Sequence, residues 1–371
     1  MTKEPIRVAQ IIGKWVGGGV EAVVMNYYRN IDKSKIQFDF ICDDDSTNIP
    51  YDEIEALGGK VILIPPYQNV FKYQKKLKRV LKEGNYQIVH SHINTLSVFS
   101  LFAAKCAKVP VRIAHSHSTT NKKEWKKNLL KILLRPFVKL FATDYMACTE
   151  HAGRWMFGNK KFDKGNVYLL NNAIDLEKFK YNKNIRKRIR EELRIPNDTY
   201  VIGHIGRFVE QKNHRFLLDI FNHYQKSNDN CILLLIGQGP LVHEMKEIVK
   251  KYNIENKVLF LGQKENVNDY YNSFDLFLFP SLYEGLGMVM VEAQVNGLIC
   301  LASSEVPKNA AVLNAVKFND LNDSINNWCN IIENFNTKYN RNILDESFCK
   351  AGYSITIEAS KLLDKYLELI K

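Results

Sequence analysis

The sequence predicts an α/β protein built from two doubly wound domains, and three observations carry that prediction. Short apolar runs recur along the whole chain and stop at glycine, proline or polar turns, the mark of strands buried on both faces of a parallel sheet. Two of them, Ile6–Ile12 and Tyr200–Ile205, each lead through a glycine-bearing turn into an apolar helix, so the chain opens twice in the same way. All of the net charge of +12 lies in residues 1–180, while residues 181–371 balance, as expected of two domains with different partners.

Composition narrows the class. With 371 residues and 46% hydrophobic content the chain can bury more than one core. Seven scattered cysteines, with no C-x-x-C pair, indicate neither a disulfide framework nor a zinc site, and a reducing cytoplasm fits them. The first residues lack the apolar centre of a signal peptide, and no run is long enough to span a membrane. A basic first half allows anionic lipid, nucleic acid or an acidic substrate as partner. No interleaved aromatic residues or nucleic-acid motif accompany the charge, so nucleic acid is not expected.

In chain order, Ile6–Ile12 is a buried strand, followed by Gly17-Gly18-Gly19-Val20-Glu21 and a helix over 22–28. The triplet does not satisfy G-x-G-x-x-G; it reads either as a loop that lets a phosphate approach or as a structural turn. Phe38–Cys42 is a second strand. It ends in Asp43-Asp44-Asp45, a triplet that could hold a divalent ion but runs into a solvated loop, so no metal site is expected there. Val61–Ile64 is a strand closed by two prolines, and 71–82 a basic helix.

Two strands then end in H-x-H pairs, His90/His92 and His115/His117. In an extended strand both histidines of a pair share a face. Ligands collect at the carboxyl ends of parallel strands, so the four rings should line one cleft. Four imidazoles could alternatively hold zinc, or serve as structural polar residues.

Residues 125–141 are the most membrane-like segment. Lys127, Lys131, Arg135 and Lys139 form a basic stripe, Trp125, Leu129, Leu130, Leu133, Leu134 and Phe137 an apolar one, and Pro136 should kink or end the helix. Such a helix either lies on an anionic membrane or packs its apolar side into the domain with its cations in water. A strand follows at 144–149, and the basic run 180–192 reads as a boundary.

The second domain places Gly206-Arg207 at a strand end and Lys212 five residues on, two cations aimed where a leaving diphosphate gathers charge. Glycine turns follow the strands at 231–236 and 258–261. The stretch Phe279–Gly297 carries Glu284 in a turn with Gly285 and Gly287, then an apolar helix with Glu292 about two turns on. A helix N-terminus favours an anion. Two carboxylates flanking it suit the hydroxyl-rich rings on either side of a sugar nucleotide's diphosphate. The Asn-rich region 319–341 reads as helical and exposed, and 355–370 as a last amphipathic helix.

At these residues a resemblance enters. E-G-L-G-M-V-M-V-E over 284–292 resembles the two-glutamate signature of the retaining glycosyltransferases of family four. G-R-F-V-E-Q-K-N-H over 206–214 resembles that family's donor-phosphate loop, and V-x-x-x-x-N-A-I-D-x-x-x-F over 167–179 its passage between domains, with Ala173 where glycine is usual. The resemblance implies the GT-B fold: two Rossmann-like domains facing across a cleft, here 1–175 and 176–354, with helix 355–371 crossing back to the first.

By the same resemblance Glu292 takes ribose hydroxyls and Glu284 sugar hydroxyls, while backbone N–H groups of Gly285, Leu286, Gly287 and Met288 meet phosphate. Arg207 and Lys212 stabilise the leaving diphosphate, with Gly206, Gly237, Gly18 and Gly19 nearby. Backbone groups around Gln263 to Asn266 hold the edge of the base. His117 orients the sugar, and His92 lies on the acceptor side. No metal or other cofactor is implied. The family's glycine-rich turn after 298–303 is replaced by Ser304–Lys308. The activity implied is transfer of a hexose from a nucleotide diphosphate sugar, UDP-linked, with retention. The acceptor expected is a saccharide or lipid-linked saccharide in capsule or exopolysaccharide synthesis, at the cytoplasmic face of a membrane. A 2-epimerase, a glycosyl phosphorylase and a non-enzymatic nucleic-acid binder are the alternatives.

Overall fold

A strand covered on both faces is mostly apolar, and β2 (Ile36–Asp43) is buried at every position, with Gln37 and Asp39 hydrogen-bonded by Tyr28 and Arg7. It belongs to a seven-stranded parallel sheet with β1 (Ile6–Gly13), β3 (Lys60–Ile64), β4 (Ile88–Ser91), β5 (Val111–Ser116), β6 (Asp144–Ala147) and β7 (Tyr168–Leu169), in the order β3-β2-β1-β4-β5-β6-β7. The computed structural model describes residues 4–117, 125–335, 341 and 346–371, the side chains of 125–128 excepted. A second parallel sheet joins β8 (Tyr200–Ile205), β9 (Cys231–Ile236), β10 (Val258–Gly262), β11 (Leu276–Phe279), β12 (Ile299–Ser303) and β13 (Val316–Asn319), in the order β10-β9-β8-β11-β12-β13. Each order reverses once, between β1 and β4 in one sheet and between β8 and β11 in the other. In open α/β sheets the strand ends beside such a reversal carry the ligand.

The chain forms two compact units, Met1–Ile174 with Gly352–Lys371, and Asp175–Ala351. Its return to the first unit is stitched by backbone: Ile174 bridges Ser354, donating to the Tyr353 carbonyl at 2.9 Å and accepting from the Ile355 N–H at 3.0 Å. The C-terminal helix Ile355–Leu369 then buries Leu362, Leu363 and Tyr366 in the core with Tyr27, Tyr28, Phe38 and Phe40. At the entry to the second unit, helix Lys183–Glu192 starts at the Asn182 side chain, which accepts from the N–H groups of Asn184 and Ile185. Arg186 and Arg190 of this helix both pair with Asp275, each at 2.6 Å, and lock it onto the base of β11.

One expectation is narrowed and another needs correction. The helix Trp125–Phe141 runs through Pro136 without ending. Proline removes the bond to the carbonyl four residues back, that of Ile132. Region 319–341 is not uniformly exposed either. Asn319 closes β13, and helix Ile325–Asn334, capped by the Ser324 side chain, buries Trp328, Cys329 and Ile332. Residues 336–340 lie outside the described residues.

Candidate active site

In the second unit two loops at the sheet reversal are tied to each other. The loop after β8 carries Gly206, Arg207 and the short turn Glu210–Lys212, and the loop after β11 carries Glu284, Gly285 and Gly287. Leu282 N–H donates to the Gln211 carbonyl at 2.8 Å, and Asn213 Nδ2 to the Pro280 carbonyl at 3.1 Å. Gln211 Nε2 donates to the Tyr283 carbonyl at 3.1 Å and reaches Glu284 Oε2 at 3.4 Å. At the centre Lys212 Nζ lies 2.7 Å from Glu284 Oε1. Both side chains are largely shielded, and the ammonium also lies 4.8 Å from the centre of the Phe279 ring. Arg207 is exposed and, among the described residues, forms no ion pair.

Gly287 stands at φ +82, a left-handed conformation that admits glycine readily, and from it helix Met288–Val295 begins. Its first N–H groups have no carbonyl ahead of them in the helix, and its dipole adds positive potential there. No Cβ neighbour crowds Gly285 within 4 Å. Glu292 is held from behind by the Tyr271 hydroxyl, which donates at 2.7 Å. Burial raises its carboxyl above the usual range, opposed by the Tyr271 hydrogen bond and then by Lys212 and Lys178.

Behind these loops the strand ends are zipped together. Gly206 N–H donates to the Ile236 carbonyl, Phe208 N–H to the Gln238 carbonyl and Gly237 N–H to the Gly262 carbonyl, all at 2.9 Å. Gly237 has φ +140, and a Cβ there would overlap the Gly206 carbonyl oxygen. Phe208, Gly237, Gln238, Gly239, Lys246 and Phe260 help line a pocket of about 360 Å³. Gln263 and Asn266 are exposed just past β10, Asn266 bonding Asp269 at 3.1 Å.

In the first unit, Gly17 has φ +77, and Glu21 folds back so that Oε1 accepts from the Val16 N–H at 3.0 Å. Gly18 lies against that carboxylate, whereas open space faces Gly19. Asp43 is buried at the end of β2 and Asp45 pairs with Lys14 at 2.7 Å. The four strand-end histidines do come together. His90 stacks on His92 at 4.2 Å and His115 on His117 at 3.9 Å. His90 Nε2 meets His115 Nδ1 at 3.1 Å, and His92 Nδ1 meets His117 Nε2 at 2.9 Å. Nitrogens of His90, His92 and His115 lie within 4.8 Å of one another, a spacing that suits a metal, but all of them except His115 Nε2 are engaged with histidines, Gln10 or Tyr366. Burial, with neighbouring histidines adding to it at His90, His92 and His115, depresses all four imidazoles well below their usual value, so the rings are neutral at physiological pH. His117 is placed outermost, its backbone N–H held by Asn94 Oδ1 at 2.8 Å, and His92 is buried behind it with both ring nitrogens used.

Comparison with known proteins decides the family. The whole chain is 35% identical to Bacillus subtilis EpsF, named as a glycosyltransferase, over 99% of this chain and 97% of that one. Residues 17–178 match the family described as Glycosyltransferase Family 4, and residues 185–327 that described as Glycosyl transferases group 1. The chain is a family-four glycosyltransferase.

A further relative of this glycosyltransferase is the Escherichia coli UDP-Gal:alpha-D-GlcNAc-diphosphoundecaprenol alpha-1,3-galactosyltransferase, 22% identical over 100% of this chain and 98% of that one. Among solved structures, Anabaena HepE in complex with UDP and glucose superposes with a TM-score of 0.80 at 17% identity, covering 97% of this chain and 99% of that one. That likeness shows the GT-B fold. Several partners in the glycosyltransferase's site escape a reading of the sequence. Gln211 stands beside Lys212 but has no signature, Tyr271 lies 21 residues from Glu292, and Tyr366 lies 276 residues from His90. Gln10 alone leaves a sign, a polar residue inside an otherwise apolar strand.

Proposed function

We propose that this glycosyltransferase moves a hexose from a UDP-sugar to a hydroxyl of a saccharide or lipid-linked saccharide, with retention and without a metal, in capsule or exopolysaccharide synthesis. The observation that carries the reading is the Lys212–Glu284 pair at the β8/β11 reversal, beside the start of helix Met288–Val295. A cation for pyrophosphate, a carboxylate for hydroxyls and a helix N-terminus for phosphate meet in one place. Lys212 has three protons to donate, so it can hold Glu284 and a phosphate oxygen together. The HepE complexes with UDP-glucose and the named acceptor of the E. coli relative support the donor and acceptor classes.

In this reading Arg207 and Lys212 stabilise the departing diphosphate, with Gly206 and Gly237 leaving room for it, and N–H groups of Gly285 to Met288 complete its cradle. Glu284 takes sugar hydroxyls, Glu292 the ribose, and Gln263 and Asn266 the base. Gly18 and Gly19 approach the diphosphate, and His117, supported by His92, orients the sugar. The acceptor hydroxyl attacks on the face the diphosphate leaves, and the departing phosphate oxygen takes its proton.

A membrane-surface role draws on helix Trp125–Phe141. Leu129, Leu130, Ile132, Leu133, Phe137 and Leu140 are all about half exposed or more, whereas Arg135 turns inward, donating to the Trp155 carbonyl at 2.8 Å. One apolar side therefore faces outward, while Val138, with Leu134 and Phe141 beside it, packs the opposite side into the core. Trp125 and Lys127 lie among the side chains outside the description. An anionic lipid surface on the cytoplasmic side fits this face together with the basic charge of residues 1–180.

The test is direct. Purified enzyme is incubated with UDP-hexoses and an undecaprenyl-diphosphate saccharide, and products are read by mass and by anomeric coupling. A product heavier by one hexose with the donor's anomeric configuration is expected. Conversion of donor alone to an epimer, or an inverted linkage, would overturn the reading.

A further inference from the structure

Gln10 lies on β1 directly opposite His90 on β4, is almost fully buried, and touches both arms of the histidine cluster. Its Oε1 is 2.8 Å from His92 Nε2, and its Nε2 donates to the Tyr366 hydroxyl at 3.2 Å. An amide oxygen only accepts and an amide nitrogen only donates, and a neutral imidazole carries one proton. With the amide oxygen turned toward His92, as it stands here, these rules fix every proton in the cluster.

On the oxygen arm, His92 must hold its proton on Nε2 to reach Gln10. Its Nδ1 is then an acceptor, so His117 must hold its proton on Nε2 and is left with a bare Nδ1. On the nitrogen arm, the Tyr366 hydroxyl accepts from Gln10 and gives its own proton to His90 Nδ1 at 2.6 Å. His90 then donates from Nε2 to His115 Nδ1, and His115 keeps its proton on Nε2, an atom with no partner among the described residues. All four rings share one tautomer. Turning the amide over would reverse both arms and move all four protons to Nδ1.

We infer that Gln10 is a positioning residue for sugar transfer: its amide, through His92, holds the proton of His117 on Nε2 and leaves Nδ1 as an acceptor. This rests on the reading of His117 as the residue that orients the sugar. Among the described residues Nδ1 of His117 has no partner. A sugar losing its diphosphate gathers positive charge at its ring, as in glycoside cleavage generally. A lone pair facing that charge stabilises it, and an N–H would oppose it. No catalytic contact is assigned to Gln10 itself.

The experiment reads the proton positions directly. Protein carrying nitrogen-15 histidine is examined at neutral pH by two-bond proton–nitrogen correlation. Protonated Nε2 at His117 and the same tautomer at His90, His92 and His115 are expected, and a proton on Nδ1 of His117, or a doubly protonated ring, overturns the inference. This outcome does not depend on transfer activity, so it separates from a failure of the functional reading. Gln10→Leu should lower kcat about tenfold, the worth of one hydrogen bond, with the KM for UDP-sugar unchanged. Gln10→Glu offers an acceptor on both sides, so it should restore the His117 tautomer and most of kcat while reversing His90 and His115. A folded Gln10→Glu protein as slow as Gln10→Leu overturns the positioning role. Tyr366→Phe, which touches only the other arm, should leave the His117 signal in place.

Discussion

Lys212 and Glu284 are 72 residues apart in the chain, yet their charged atoms stand 2.7 Å apart between two loops that hold each other by backbone bonds. Removing one partner strands the other in a shielded position, which costs on the order of 3–5 kcal/mol, whereas removing both leaves nothing unpaired. Lys212→Met should therefore lower the melting temperature markedly, and adding Glu284→Gln should recover much of it. Neither variant should transfer sugar at a measurable rate. Thermal melts alongside product assays read both, and additive losses of stability would show that the two residues do not act as a pair.

Arg207 gives the complementary case. Exposed and without an ion pair among the described residues, it contributes nothing to the fold that its loss would remove. Arg207→Ala should reduce turnover by roughly 10²-fold or more and leave the melting temperature in place. Kinetics equal to wild type would remove it from the donor site.

These pairings mark the limit of what the sequence discloses. The two strand–turn–helix openings are readable because a strand buried on both faces is mostly apolar, as β1 is apart from Arg7 and Gln10 and β8 apart from His204. That the H-x-H histidines share a face follows from the two-residue strand period. The partner of each side chain is not readable, because it comes from another strand or helix far along the chain. Nothing near Lys212 announces Glu284, and nothing near His90 announces Tyr366. The outward apolar face of helix Trp125–Phe141 is hidden for a similar reason: which stripe packs depends on where Trp155 and the sheet stand.

Gly237 offers a test of close approach. Its φ of +140 and the Gly206 carbonyl behind it leave no room for a methyl group. Gly237→Ala should destabilise the second unit by roughly 1–3 kcal/mol and abolish the rise in melting temperature expected on adding UDP. A variant that melts and binds like wild type would show that the zipped loops give way freely.

Acid should weaken the fold through its buried histidines. Burial lowers His204 to about 3 and His214 to about 2, and neither His214 nitrogen has a partner among the described residues. Their folded values lie below the unfolded one, so the unfolded chain takes up protons first. The stability they allow is full above the ordinary histidine value near 6.5 and is lost as pH falls from there through about 3. Urea unfolding across that window should show free energy climbing with pH and levelling near neutrality. His214→Phe, which keeps the 4.0 Å stack on Phe208, should flatten the climb. An unchanged slope would place the acid sensitivity elsewhere.

The outward leucines predict a lipid preference. Flotation with anionic vesicles should carry the wild-type enzyme and flotation with neutral ones should not, and Leu133→Glu with Phe137→Glu should abolish it. Binding to neither vesicle would leave that helix without a membrane.

Tyr366 lies in the last turns of the chain, yet it completes a proton circuit that starts on the first strand. During synthesis the opening sheet must wait, its histidines unanchored, until helix Ile355–Leu369 has left the ribosome. The later-made unit, contiguous in sequence, is under no such delay and can reach its native state first. A nonsense codon just before that tyrosine would thus injure the half of the enzyme translated earliest, and leave the half translated last intact.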